Sequence, residues 1–126
     1  AAEAANVRML GYRDHPAVLD AMSRAAVVVV PSRWPEPFGL VALEALASGA
    51  ALVCSPRGGL PEVAGDVAVY ADPDNPAEIA AAIRSLASDD ARRAALAEAG
   101  RRRAHLFDVP VIAGRLAELR RQVIGR

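Results

Sequence analysis

The stretch VVVVPSRWPEPFGLVALEALASGAALVCS, residues 27–55, holds the pattern that decides the fold. Four consecutive valines make a strand that is apolar at every position, as a parallel strand covered by helices on both faces requires. PSRWPEPFG breaks that strand with three prolines and a glycine. Helical spacing then begins over Gly39–Ser48, Gly49 stops it, and Ala51–Ser55 is the next apolar strand.

Two carboxylates stand out in this stretch. Glu44 lies in a helix that is apolar on every side, which predicts a buried helix and puts its charge in or beside the core. An unpaired carboxylate there costs several kcal/mol, so Glu44 must be hydrogen-bonded, protonated, or aimed out through a gap. The helix N-terminus favours an anion in its early turns. Glu36 stands in the preceding loop, stiffened by prolines, and Gly39 allows the backbone to approach a bound group closely. The first free amides of the helix suit a phosphate or sugar oxygen. Against this stand simpler readings: Glu44 bonded only to water or protein, Glu36 an exposed loop charge, and Trp34 a packing lid over the helix rather than a stacking platform.

Working outward, Val7–Leu10 reads as a short strand closed by Gly11, and Pro16–Ala25 as a helix with Val18, Leu19, Met22 and Ala25 on one face. After residue 55, PRGGLPEVAG is a loop with a short helical turn around Leu60–Ala64, followed by a last strand, Val67–Tyr70. Asn75 and Glu78 mark a helix start, with Glu78 able to bond back to the cap amide. Ile79, Ile83 and Leu86 give that helix its buried stripe. Two more helices follow, about Asp89–Leu106 and Asp108–Ile124, the latter with Ile112, Leu116, Leu119 and Val123 on one face. Strands alternating with helices predict one α/β domain, Rossmann-like, with a parallel sheet of about four strands, helices on both faces and a helical tail. Ligands in such sheets sit at the carboxyl ends of the strands, which singles out the loops Gly11–His15, Pro31–Gly39 and Ser55–Leu60, each carrying an arginine: Arg13, Arg33 and Arg57.

Composition bounds the rest. The 126 residues suffice for one domain, and 53% apolar with 24% charged residues is ordinary for a globular protein. Fifteen basic and fifteen acidic side chains balance to zero, so the total carries no footprint for nucleic acid. All fifteen basic residues are arginine. The runs at 92–93, 101–103 and 120–121 are read as solvated helix faces, with membrane-surface or partner contact as the alternative. One cysteine, Cys54, forms no internal disulfide and reads as a core residue rather than a nucleophile. With no membrane-length apolar run and no signal-peptide pattern, the expectation is a cytoplasmic protein.

PSRWPEPFGLVALEALASGAALVCSPRGGLPEV closely resembles the signature of the retaining glycosyltransferases of the GT-B fold (family 4, or group 1), which include glycogen synthases, sucrose synthases and phosphatidylinositol mannosyltransferases. Glu36 and Glu44 match that family's pair of glutamates with seven residues between. NVRMLGY and GDVAVYADPDNPAEIAAAI resemble the flanking family segments, so the likeness covers roughly residues 6–87 well and the tail loosely. The resemblance implies that residues 1–126 form the nucleotide-sugar-binding, C-terminal part of such an enzyme. Glu36, the catalytic candidate, would contact donor-sugar hydroxyls; Phe38, Gly39 and Leu40 would offer amides to sugar and pyrophosphate; Glu44 would hold the ribose. Gly11, Tyr12 and Arg13 would line the nucleotide base, and Gly58 and Gly59 would shape the pocket. No metal or cofactor is implied beyond the nucleoside-diphosphate sugar.

Two departures accompany the likeness. The family's phosphate-binding arginine and lysine lie before this stretch, and this chain has no lysine. The family's sheet order 3-2-1-4-5-6 makes Val7–Leu10 strand 3, leaving it without its usual neighbour, and the acceptor site belongs to an N-terminal half that is not here. An open sheet edge then predicts unusual pairing or self-association, and peripheral membrane contact of a longer protein stays open. The alternatives are a catalytically inert nucleotide-binding or interaction domain of the same fold, and a nucleotide-sugar epimerase.

Overall fold

The computed structural model describes residues 6–125. Its elements alternate as expected: α1 (His15–Arg24), β1 (Val27–Val30), α2 (Leu40–Ser48), β2 (Ala51–Cys54), α3 (Leu60–Ala64), β3 (Ala68–Tyr70), α4 (Pro76–Ala87), α5 (Asp90–Ala104), a 3-10 turn (His105–Phe107) and α6 (Val109–Ile124). The sheet has three strands in the order β1-β2-β3, all parallel. Val27 pairs with Ala51 and Val30 with Cys54, and Cys54 pairs in turn with Tyr70.

The expected strand at Val7–Leu10 does not form; those residues are exposed and belong to no ladder. A strand gains its hydrogen bonds only from a neighbour, and this segment has none among the described residues. The order β1-β2-β3 is that of the last three strands in the sheet order the resemblance implied.

Alternation along β2 sorts the core into two layers. Leu52 and Cys54 face a cluster built from Met22 of α1, Ala42, Ala45 and Leu46 of α2, Leu60, Val63 and Ala64 of α3, and Ala104 of α5. Ala51 and Val53 face the opposite cluster, with Ala82 and Leu86 of α4 and Leu96 of α5. Helices therefore cover both faces. Leu46, Leu52, Leu60 and Leu86 are fully buried, and each such burial stabilises by about 1.5–3 kcal/mol. Cys54 lies in the same layer, and burial pushes its thiol pKa up to about 12, so it stays protonated and unreactive.

Three local expectations change. The apolar α2 is not buried all round: Ala42, Ala45 and Leu46 pack into the core cluster, but Leu40 and Val41 stand exposed outside it. Asn75 caps α4 by accepting from Glu78 N–H at 3.2 Å, yet the Glu78 carboxylate accepts from Asp72 N–H at 3.0 Å rather than from the cap amide. The arginine runs are not simply solvated. Arg93 donates to Leu86 O at 2.9 Å, and Arg103 donates to Val63 O at 2.6 Å and Glu62 O at 2.7 Å, closing the C-terminal ends of α4 and α3. The tail helix α6 has no buried residue.

Candidate functional site

The loops after β1 and β2 are stitched together by backbone and hydroxyl contacts. Ser55, fully buried just after β2, donates its hydroxyl to Ser32 O at 2.7 Å in the loop after β1. Ser32 in turn donates its hydroxyl to the Glu36 carboxylate. Gly59 N–H donates to Glu36 O at 2.6 Å. Gly58, at φ +59°, lies so close to the Glu36 backbone that a Cβ would collide with it. Glu36 is thus part-buried and held at main chain and side chain by neighbours on two strand ends.

Gly39 opens α2 at φ 91°, in the left-handed region, and a Cβ there would sit 2.7 Å from Leu60 Cδ2. No side chain caps this helix. Its first bonded amide is that of Ala42, on Gly39 O at 3.0 Å, so the amides of Leu40 and Val41 have no protein acceptor among the described residues. One turn further on, Glu44 is 17% exposed and its Oε1 lies 2.6 Å from His15 Nε2. This is the partner that its place in an apolar helix demanded, and the sequence reading did not find it. His15 opens α1, whose cap is Asp14, accepting from Ala17 N–H at 3.0 Å. The only advance signal was the expectation that Gly11–His15 follows a strand.

The loop arginines divide. Arg57 donates to Arg33 O at 2.6 Å and pairs with Asp74 at 2.7 Å, while Arg33 reaches the same carboxylate at 3.1 Å. The Arg57 hydrogen bond, helped by the charges of both arginines, holds the Asp74 carboxyl below the usual range. Two of the three cations are therefore engaged within the protein.

Glu36, Phe38, Gly39, Leu40 and Glu44 come together along one loop and one helix turn. Gly11, Tyr12 and Arg13 do not join them; none borders the hollow that Glu44 borders. Gly11 and Arg13 border a groove of about 490 Å3 along α1 and the free edge of β1. Glu44 instead borders a hollow of about 340 Å3 with Leu43, Arg101, His105 and Phe107. Tyr12 is 93% exposed and forms no wall. Trp34, 59% exposed, is not a lid packed over α2. Phe38 packs edge-on against Phe107, ring centroids 5.7 Å apart, which joins the loop to the turn before α6. Among the described residues no His, Cys, Asp and Glu side chains group to hold a metal ion, and no helix is long and apolar enough to cross a membrane.

The family described as "Glycosyl transferases group 1" matches residues 2–103. This chain belongs to that family. Among curated group 1 relatives, the glycogen synthase of Mycobacterium tuberculosis is 45% identical over 98 residues, 76% of this chain and 23% of that protein. The D-inositol 3-phosphate glycosyltransferase of Corynebacterium kroppenstedtii is 43% identical over 94 residues, 73% of this chain and 21% of that protein. Among solved structures, sucrose-phosphate synthase from Thermosynechococcus elongatus superposes with a TM-score of 0.79 at 35% identity, over 92% of this chain and 30% of that one. Anabaena HepE in complex with UDP-glucose gives a TM-score of 0.73 at 28% identity, over 82% of this chain and 29% of that one. The architecture is that of part of a GT-B glycosyltransferase, and the group 1 chain spans about a quarter of the length of these curated relatives.

Proposed function

We propose that this chain is the donor-binding part of a retaining glycosyltransferase, in which a sugar passes from a nucleoside diphosphate to an acceptor hydroxyl with its anomeric configuration kept. The observation that carries the reading is the run from Glu36 to Glu44: two held carboxylates flanking the two unbonded amides that open α2. HepE, of the same fold, is solved with UDP and with UDP-glucose, which supports a nucleotide-sugar donor.

In this reading the amides of Leu40 and Val41 receive an oxygen of the pyrophosphate or sugar, where the helix N-terminus favours negative charge. Glu44 accepts from the ribose hydroxyls with the oxygen that His15 leaves free. Glu36 is the catalytic residue in that it touches the reacting sugar, accepting a donor hydroxyl on the carboxylate oxygen not taken by Ser32. Rate enhancement comes from holding the donor and stabilising the departing pyrophosphate. The leaving phosphate takes the acceptor proton on the same face of the sugar, so no protein nucleophile is required. Arg33 and Arg57 are both engaged with Asp74 here, so neither is free to bind the phosphates in this reading.

The test is calorimetric titration of the 126-residue chain with UDP, GDP and ADP. Glu44→Ala is expected to weaken the best-bound nucleotide about tenfold or more, as loss of a charged hydrogen-bond acceptor does. Glu98→Ala, an exposed carboxylate on α5, leaves it unchanged. Equal binding after Glu44→Ala would remove the ribose role, and conversion of free donor without an acceptor would point to an epimerase.

A further inference from the structure

We infer that His15 is a positioning residue for the nucleotide: it fixes the Glu44 carboxylate so that one oxygen is presented to the ribose, and so sets how strongly the site distinguishes ribose from deoxyribose. This rests on the donor-binding reading above and adds a residue to it.

The contact joins two helices, with Nε2 of His15 at 2.6 Å from Oε1 of Glu44, 29 positions apart in sequence. To bond a carboxylate, which only accepts, Nε2 must carry the proton. Glu44 has no other protein hydrogen bond among the described residues, so Oε2 is uncommitted. A glutamate has three side-chain torsions, and a free one in a helix turn samples several carboxylate orientations, each of which a ligand must freeze out on binding. A donor on Oε1 removes that freedom before the ligand arrives.

His15 is itself well anchored for this task. It is the first residue of α1, preceded by the Asp14 cap and followed by Pro16, so its backbone is set by the helix start. Further along, Met22 of α1 is buried in the same cluster as Ala45 and Leu46 of α2, which fixes the spacing of the two helices independently of the pair. A purely bracing role is the weaker account. The His15 side chain is 64% exposed, and exposed ion pairs add little to stability, whereas orientation of a single carboxylate needs only geometry.

The experiment measures affinity of the 126-residue chain for the best-bound of UDP, GDP and ADP and for its 2′,3′-dideoxy counterpart, in wild type, His15→Ala, His15→Gln and Glu44→Ala. The expected result is a loss of about tenfold for the ribonucleotide in His15→Ala with the dideoxy affinity unchanged, so that the preference for ribose collapses as it does in Glu44→Ala. His15→Gln, which keeps a side-chain N–H donor, restores part of that preference. If Glu44→Ala abolishes the preference and His15→Ala leaves it intact, or weakens both nucleotides equally, His15 is only a brace and the inference falls while the donor reading stands. If Glu44→Ala also leaves the preference intact, or no nucleoside diphosphate binds, the donor reading falls and the inference with it.

Discussion

At the scale of single residues, charge in this protein is placed to complete hydrogen bonding that the backbone leaves unfinished. Arg103 shows this best: from the end of α5 it reaches back 40 and 41 residues to the carbonyls of Val63 and Glu62. A sequence reading sees only RRR on a helix, because nothing local says which of three adjacent guanidiniums meets a carbonyl. Arg103→Ala is expected to lower stability by about 2 kcal/mol, the range for hydrogen bonds to a charged group. Arg102→Ala, which loses only an exposed contact with Glu98, should stay within about 0.5 kcal/mol. Urea unfolding of the two variants side by side checks this; equal midpoints would show that Arg103 is as solvated as its neighbour.

At the scale of elements, two of the three expected loops, Pro31–Gly39 and Ser55–Leu60, do follow strand ends, whereas Gly11–His15 follows none. Their internal wiring was not visible. Gly58 and Gly59 resembled a pocket-shaping loop, and their physical work in the structure is close packing on the Glu36 segment, with one hydrogen bond and no room for a side chain. Gly58→Ala meets both an unfavourable φ and a backbone collision. It should destabilise by more than about 1 kcal/mol, and it should weaken nucleotide binding beyond that, because the loop bearing Glu36 must shift. Thermal unfolding together with nucleotide titration separates the two effects. A variant with wild-type stability and affinity would show that the two loops adjust freely. The missed cap pairing at Glu78 is the same lesson in small: the spacing of Asn75 and Glu78 was right for a reciprocal cap, but the Asn75 amide donates to Asp72 O and the Glu78 carboxylate takes the Asp72 amide.

For the whole molecule, two surfaces follow from the arrangement. Among the described residues β1 pairs only with β2, leaving its other edge open, and α6 carries Leu116, Leu119, Val123 and Ile124 largely exposed. Unpaired strand edges and contiguous apolar faces both favour association. The 126-residue chain is therefore expected to show a mass above 13.2 kDa in light scattering as its concentration rises. A constant monomer mass at every concentration would count against this.

What the sequence by itself determined is the part encoded by near neighbours. Valine runs, the Gly39 and Gly49 boundaries of α2 and the alternation of strand and helix specify a parallel α/β sheet, and the two glutamates eight positions apart are what the proposed donor site is built on. Only the tertiary structure decided which groups those glutamates meet. His15 and Ser32 are unremarkable in sequence, and Arg57 gives no sign that Asp74 will claim it. It also decided that Val7–Leu10 is no strand. Periodicity is a property of adjacent residues, whereas a hydrogen bond across 29 positions, or a ladder without a partner, exists only once the chain has been brought back on itself.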